Sequence, residues 1–299
     1  MAHAAEPARP IALVTARAAH DLDEDLPPLV AALGERQLPA EVVEWDDQGV
    51  DWSRYRVALL RSTWDYSARL PEFMAWLDRT AAVTRVLNPP PVVRWNLDKH
   101  YLAELRRAGA AIVPTTFVEP GGDAAALMRQ FLQGHAAADV VIKPVVGSGS
   151  RDAQRHPRTE VTAMVAHVSR LLAERRSVLV QPYLERVDDY GETALIYFGS
   201  QFSHAIRKGP LLQRSSAPTS ALFAPEQITP RTPGSDELEL GERVLKALPF
   251  EPLLYARIDL VRGDDGAPCL LELELAEPSL FIAYSAGAAA RFAQAVAAF

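Results

Sequence analysis

The sequence predicts an α/β protein with more than one lobe, in which a parallel sheet comes first and further strands follow. The chain has 299 residues and is about half hydrophobic, which is enough to build two or three packed lobes. Short apolar strands alternate with helical patterns over the first 90 residues, an order typical of a parallel sheet with helical crossovers. Three consecutive prolines at 89–91 then mark a stiff connection that ends this first lobe.

Hydrophobic periodicity predicts the individual elements of the first half. In the first lobe it predicts strands at 11–16, 41–45 and 57–61 and a helix at 27–37. A helix over 96–108 follows, with Asn96 as its N-cap and Gly109 as its end. Beyond it the pattern predicts strands at 111–118, 139–144 and 177–183 and helices at 123–133 and 159–174.

The second half begins with a predicted hairpin, 193–198 and 202–206, around Gly199 and Ser200. The long segment 209–235 is rich in Pro, Ser and Thr. It is either a lid or a flexible excursion, and the sequence favours neither. A helix at 236–248, strands at 254–261 and 268–275 and a helix at 286–298 complete the prediction.

Composition excludes several classes of protein. The net charge is −7 and no Lys/Arg run occurs, so we expect no nucleic-acid partner. No apolar run reaches the ~20 residues that a bilayer requires, so we expect no membrane partner. The N-terminus lacks a secretory signal and Cys269 is the single cysteine, which predicts a cytoplasmic protein without an internal disulfide. The apolar surroundings of Cys269 argue against a catalytic thiolate.

Lysine is scarce: four of the 31 basic residues are lysines, at 99, 143, 208 and 246. A lysine retained inside a motif then suggests a role that the planar arginine fork would not fill. Lys143 ends a buried strand and precedes the loop Gly147-Ser148-Gly149-Ser150, in which small residues allow backbone N–H groups to approach an anion. The segment is either a phosphate site or a tight glycine turn. Lys246 lies in a polar helical pattern and is predicted to be a surface residue.

Carboxylates follow two predicted strands near the C-terminus. Glu272 and Glu274 share one face of their strand, and Arg257 and Asp259 share one face of the neighbouring strand, because side chains alternate. The turn at 263–266 should pair the two strands as a hairpin. Such oxygen ligands suit Mg²⁺ bound together with phosphate oxygens, although a solvated outer face is the common alternative.

A weaker pattern follows the strand at 177–183. An extended exit at Gln181, Tyr183 and Leu184 could present backbone groups to a nucleobase, and Glu192 could accept hydrogen bonds from a ribose. Taken alone, an ordinary exit from a strand explains this segment better.

In this order and spacing the segments over 94–281 resemble the ATP-grasp superfamily, which clamps ATP between two antiparallel-sheet lobes. The resemblance implies a Rossmann-like α/β substrate-side domain at 1–93, a central lobe at 94–184 and a C-terminal lobe with the metal site at 185–299. It also implies ATP and two Mg²⁺ as cofactors, with Mn²⁺ able to substitute, and a homo-oligomer.

The residue roles that the resemblance implies are as follows. The ATP-binding residues are Lys99, Lys143, Gly147, Ser148, Gly149, Ser150, Gln181, Tyr183, Leu184 and Glu192. The metal ligands are Asp259, Glu272 and Glu274. Many members of the superfamily have Asn at the last of these positions, so Glu274 is a departure that adds negative charge.

More narrowly, the chain resembles the ATP-grasp cyclo-ligases that form D-cycloserine from O-ureido-D-serine. That resemblance implies an amino-acid-like carboxylate substrate, an acyl phosphate and intramolecular attack by nitrogen. Arg257, Lys208 and Arg207 are the expected catalytic residues, and Arg61, Ser62, Trp64 and Ser279 are the candidates for substrate contact. Packing between lobes is the more plausible role of Trp64 and Tyr66. An intermolecular amide ligase, a nucleotide-binding regulator without turnover and a plain scaffold are the alternatives.

Overall fold

A computed structural model describes residues 9–214, 222 and 226–299 of the chain. Within these residues the strands form three sheets, one in each of the three predicted segments. The exact boundaries at 93 and 184 stay a prediction.

The first sheet is parallel throughout, as predicted, and its strand order is β2-β1-β3-β4. Its elements are β1 (Ile11–Thr15), α1 (Leu26–Glu35), β2 (Ala40–Glu44), β3 (Val57–Ser62), α2 (Leu70–Ala81) and β4 (Arg85–Leu87). Short 3₁₀ turns lie at Arg17–Ala19, Trp52–Arg54 and Tyr66–Ala68. Every residue of β1 and β3 is buried, because helices cover the sheet.

The second sheet is antiparallel and has the order β5-β8-β6-β7. Two helices, α3 (Pro90–Leu97) and α4 (Tyr101–Arg107), precede it. Its elements are β5 (Thr116–Val118), α5 (Ala124–Gly134), β6 (Asp139–Pro144), β7 (Gln154–Pro157), α6 (Val161–Ala173) and β8 (Val178–Pro182). The apolar faces of α5 and α6 close a small core over this sheet.

The third sheet is also antiparallel, with the order β11-β10-β9-β12-β13. Its elements are α7 (Arg186–Asp189), β9 (Glu192–Phe198), β10 (Gln201–Lys208), β11 (Ile228–Arg231), α8 (Ser235–Lys246), β12 (Tyr255–Arg262), β13 (Pro268–Glu274) and α9 (Ala288–Ala298). A 3₁₀ turn at Ile282–Tyr284 precedes α9. None of the helices in the described residues is long and apolar enough to cross a membrane.

Three sequence predictions were wrong in detail. The helix predicted over 96–108 is two helices, and Asn96 lies in the last turn of α3, where its side chain donates to the Leu273 carbonyl instead of capping. The proline run starts α3, because proline suits the first turn of a helix. The segment 209–235 contains a strand, β11, and therefore is not one long loop.

A seam of buried hydrogen bonds joins the first lobe to the C-terminal lobe. The Asp25 carboxylate accepts the backbone N–H groups of Leu280, Phe281 and Ile282 at 2.7 to 3.1 Å. Arg61 donates to the Pro278 carbonyl at 2.7 Å, and the Trp64 ring N–H donates to the Glu277 carbonyl at 3.1 Å. The seam fixes segment 277–282 against the carboxyl ends of β1 and β3.

Candidate active site

A cavity of about 460 Å³ lies where the three lobes meet. The predicted phosphate, adenine, ribose and metal residues all line it. The glycine-rich loop, Lys99 and Lys143 come from the central segment, and Lys208 and the carboxylates come from the C-terminal sheet. The structure therefore brings together segments separated by more than 170 positions in the chain.

The carboxylate wall has the arrangement that strand alternation predicts. In the β12–β13 ladder Arg257 lies opposite Glu274 and Asp259 lies opposite Glu272, so all four side chains share one face. Arg257 donates from Nε to Asp259 Oδ1 at 2.8 Å and from Nη2 to Oδ2 at 2.9 Å. The same guanidinium donates to Glu274 and to the Ser279 carbonyl.

Two lysines from other elements converge on Glu272. Lys99 Nζ lies 3.0 Å from its Oε1 and Lys143 Nζ lies 3.4 Å from its Oε2. Burial opposes ionisation of Glu272, but the two lysine charges outweigh it and lower the pKa to about 2. Because both ammonium groups reach the cavity, they are placed to meet phosphate oxygens as point charges.

Lys208 lies between Asp259 of this wall and Glu192 of the neighbouring strand β9. Its Nζ lies 2.7 Å from Asp259 Oδ2 and 2.7 Å from Glu192 Oε1. Burial raises the pKa of Asp259, but Arg257 and Lys208 reverse the effect, and its pKa is lowered overall. Burial and the charge of Asp259 raise the pKa of Glu192 to about 7, although the Lys208 charge opposes them.

The glycine-rich loop is held against the first lobe. The Gly147 carbonyl accepts from Lys99 Nζ at 2.9 Å and from the Tyr66 hydroxyl at 3.4 Å. The Ser148 hydroxyl donates to the Trp64 carbonyl at 2.7 Å. Gly149 adopts a positive φ of 59°, a conformation that glycine accepts readily. Ser150 also has a positive φ, 60°. The loop therefore covers the cavity in the conformation that the structure describes.

The predicted adenine residues line part of the cavity. Gln181, Tyr183 and Leu184 line it, and the Gln181 side chain is fixed by a 2.8 Å bond to the Thr115 hydroxyl. The Arg155 guanidinium stacks on the Tyr183 ring at 3.5 Å.

The described parts of segment 209–235 also reach the cavity, through Gly209, Leu211, Leu212, Glu226 and Ile228. Arg214 donates to Asp139 at 2.7 Å, which ties the start of the segment to the central lobe. Residues 215–221 and 223–225 of the predicted lid lie outside the described residues.

The oxygen donors fit Mg²⁺ in chemistry, but they are not assembled for it. Within residues 9–214, 222 and 226–299 no group of three acids, histidines or cysteines is arranged to hold a metal ion. Asp259, Glu272 and Glu274 are each engaged by arginine or lysine. Mg²⁺ usually takes one or two carboxylates and completes its shell with phosphate oxygens and water, so these residues can accept it together with ATP.

Three predicted residues do not belong to the cavity. Arg207 points to the opposite face of β10 from Lys208, as strand alternation requires, and donates to the carbonyls of Tyr190 and Asp189. Arg61 is fully buried at the seam, and the Ser62 hydroxyl donates to Thr15 Oγ1 at 2.8 Å. Trp64 and Ser279 do line the cavity, and Trp64 together with Tyr66 also bridges lobes.

Glu277 and Asp23 are cavity acids that were not among the predicted site residues. Glu277 lies just beyond β13, where strand alternation no longer applies. Burial and the Glu274 charge raise its pKa to about 8. Asp23 belongs to the acidic stretch after β1, at the carboxyl edge of a parallel sheet. That edge is the usual place for a ligand and was the available signal.

Comparison with known proteins decides the family. The chain is 42% identical over 295 residues to the cycloserine biosynthesis protein DcsG of Streptomyces lavendulae, covering 96% of this chain and 97% of that protein. The chain belongs to the D-cycloserine synthetase family. Residues 11–88 match the family model described as the N-terminal domain of D-cycloserine synthetase DcsG.

Solved structures agree with membership of the D-cycloserine synthetase family. The crystal structure of D-cycloserine synthetase DcsG matches with a TM-score of 0.90 at 42% identity, over 96% of this chain and 98% of that one. The ATP-grasp ligase PsnB, solved with a minimal precursor, Mg and ADP, matches with a TM-score of 0.65 at 19% identity, over 99% of both chains. The predicted ATP-grasp fold is therefore confirmed, and this member of the D-cycloserine synthetase family is an ATP-grasp ligase.

Proposed function

We propose that the protein activates the carboxylate of O-ureido-D-serine with ATP and closes the product into D-cycloserine. The observation that carries the proposal is the pairing of three scarce lysines with three cavity carboxylates: Lys99 and Lys143 with Glu272, and Lys208 with Asp259 and Glu192. Identity of 42% over nearly the whole chain to DcsG, a cycloserine biosynthesis protein, supports D-cycloserine as the product.

Activation transfers a phosphoryl group. An oxygen of the substrate carboxylate attacks the γ-phosphorus of ATP, a C–O–P linkage forms, and the bond to the β-phosphate oxygen breaks to release ADP. Lys99 and Lys143 approach this region from two elements and would neutralise the charge that develops on the phosphate oxygens. Arg257 and Lys208 would serve the same end from the C-terminal sheet.

Bound Mg²⁺ would supply positive charge that offsets the negative charge of the phosphate groups. Asp259, Glu272 and Glu274 are the residues that would hold it, with one or two ions as the open choice. The Arg257 guanidinium forms ion pairs with both Asp259 and Glu274. It therefore neutralises part of the carboxylate charge that a second Mg²⁺ would otherwise neutralise.

Ring closure follows within the same molecule. The O-linked nitrogen of the ureido group attacks the acyl carbon, a C–N bond forms, the bond from carbon to the phosphate oxygen breaks, and the nitrogen loses its proton. The ring nitrogen then still carries the carbamoyl group. One water molecule hydrolyses the bond between that nitrogen and the carbamoyl carbon, which leaves D-cycloserine and releases the carbamoyl group as carbon dioxide and ammonia. Water would hydrolyse the acyl phosphate first if it had access. The docked glycine-rich loop and Leu211, Leu212 and Ile228 restrict that access.

The decisive experiment uses purified protein, ATP, Mg²⁺ and O-ureido-D-serine, and follows ADP and the ring product. We expect equal amounts of both without any added amine. Phosphate release that required an added amine would identify an intermolecular ligase instead. ATP binding without ADP formation would identify a regulator. The expected cytoplasmic location and homo-oligomer stay predictions.

A further inference from the structure

The charged groups of the cavity fall into two sets. Most of its buried acids contact a cation: Glu272 contacts Lys99 and Lys143, Asp259 contacts Arg257 and Lys208, and the others are similarly engaged. Asp23 and Glu277 are different. In the part of the chain that the structure describes, neither has a lysine or arginine nitrogen within 4 Å, although both line the cavity.

Asp23 is a buried acid of the first lobe. Its side chain belongs to a residue that is 6% exposed, and its Oδ1 accepts the Asp25 N–H at 3.0 Å. Its Oδ2 has no hydrogen-bond partner among the described residues. An unpartnered buried carboxylate oxygen is costly, so it indicates that a donor from outside the chain belongs there.

Glu277 offers a second carboxylate from the C-terminal lobe. The residue is 8% exposed, and its side chain has no hydrogen-bond partner among the described residues, while its backbone carbonyl is held by Trp64. Burial and the Glu274 charge raise the pKa of Glu277, because no cation lies close enough to outweigh them.

The seam holds the two acids at the same border of the cavity. The Asp25 carboxylate, whose backbone N–H donates to Asp23, accepts hydrogen bonds from the N–H groups of residues 280–282. Trp64 donates a hydrogen bond to the Glu277 carbonyl, and Arg61 donates one to the Pro278 carbonyl. Both backbone segments are therefore fixed to the same junction of the first and C-terminal lobes.

We propose that Asp23 and Glu277 form the subsite that binds the α-ammonium group of the substrate. The subsite rests on the proposed function, because a substrate amino acid must present one carboxylate to the phosphate region and one ammonium elsewhere. An ammonium has three N–H donors and a positive charge, which match two buried carboxyl groups that have no lysine or arginine nitrogen within 4 Å among the described residues, and its charge favours the ionised form of Glu277. The subsite would also orient the molecule, so that its carboxylate faces Lys99 and Lys143.

The test compares O-ureido-D-serine with its analogue that lacks the α-amino group, 3-(ureidooxy)propanoate. Wild-type kcat/KM for ADP formation should favour the amino substrate. In Asp23→Asn and in Glu277→Gln this preference should fall about 10- to 100-fold, the worth of one hydrogen bond to a charged group. The loss should appear mainly as a higher KM for the amino substrate, whereas the analogue should be used nearly as before.

Three further variants separate binding from folding. Glu277→Asp keeps the charge and should recover part of the preference. Asp21→Asn and Glu239→Gln change exposed acids outside the cavity and should leave the preference unchanged. An equal loss with both substrates in Asp23→Asn and Glu277→Gln would overturn the subsite. Absence of ADP with O-ureido-D-serine in the wild type would instead overturn the proposed function, and the subsite with it.

Discussion

Arg257 donates hydrogen bonds to both carboxylate oxygens of Asp259, from Nε at 2.8 Å and from Nη2 at 2.9 Å, within a single strand. The two residues are neighbours on one face of β12, so the pair needs no other element to form. Its consequence is that Asp259 stays ionised and oriented before any ligand arrives. The carboxylate wall is thus partly preorganised by local geometry, which is the condition for strong electrostatic catalysis.

The Arg257–Asp259 pair depends on the planar fork of arginine. Arg257→Lys keeps the charge but removes the two parallel bonds and the contact with the Ser279 carbonyl. We expect kcat to fall about 10- to 100-fold while the KM for ATP changes little, since one charge-assisted bidentate bond is lost. Steady-state ADP release measures both. Wild-type kcat in Arg257→Lys would show that charge alone suffices.

Glu272 is the acid on which two lysines converge. Glu272→Gln removes the charge that holds Lys99 and Lys143 and that would hold Mg²⁺. We expect kcat to fall about 100- to 1000-fold, the usual cost of losing one preorganised electrostatic group. Glu239→Gln, on the exposed face of α8, is the matched control and should keep full activity. An active Glu272→Gln enzyme would contradict its assignment as a metal ligand.

Lys143 is the predicted phosphate lysine at the end of β6. Lys143→Arg keeps the charge but replaces a compact ammonium with a larger fork in a residue whose side chain is 12% exposed. We expect the Kd of ATP to rise about 10-fold or more, measured by calorimetry. Lys246→Arg makes the same change on an exposed lysine, 80% exposed, and should leave the Kd unaltered. Similar ATP affinity in both variants would remove Lys143 from the ATP site.

Asp25 holds the seam through three backbone N–H groups. Asp25→Ala leaves those donors without an acceptor in a buried place, so we expect the free energy of unfolding to fall by about 2–4 kcal/mol. Urea denaturation measures the loss. Asp21→Ala, at an exposed position nearby, should change stability by less than about 0.5 kcal/mol. Comparable stability of the two variants would show that the seam contributes little.

Glu277 makes stability depend on pH. Its pKa is raised to about 8 in the folded protein, from an ordinary value of 4.5, so the folded state binds the extra proton between these values. Stability contributed by the protonated form is present below pH 4.5 and is lost as the pH rises through 8. Glu277→Gln cannot ionise, so it should gain stability over wild type between pH 5 and pH 8.

The size of that gain follows from the shift, since each pKa unit corresponds to about 1.4 kcal/mol. We expect a relative gain of more than about 1 kcal/mol at pH 8 compared with pH 5, from urea denaturation at both pH values. Other titrating groups contribute equally to both proteins and cancel in the difference. A pH-independent difference would contradict the raised pKa of Glu277.

The sequence by itself determined the features that depend on neighbours in the chain. Strand alternation put Glu272 and Glu274 on one face, and the 263–266 turn paired their strand with Arg257 and Asp259, as the register confirms. By the same rule, Lys208 faces the cavity and Arg207 faces away from it. The sequence prediction nevertheless included both residues as catalytic. Apolar periodicity also placed most strands within a few residues.

Only the tertiary structure decided which distant groups meet. Lys99 and Lys143 reach one carboxylate 129 or more positions away, and Asp23 and Glu277 come to one cavity border through a seam between lobes. Arg61 is a residue type that can bind a substrate carboxylate, but the packing of the lobes buries it completely, and it donates to the Pro278 carbonyl. Burial and long-range pairing depend on how sheets dock, and local patterns in the chain carry no record of that.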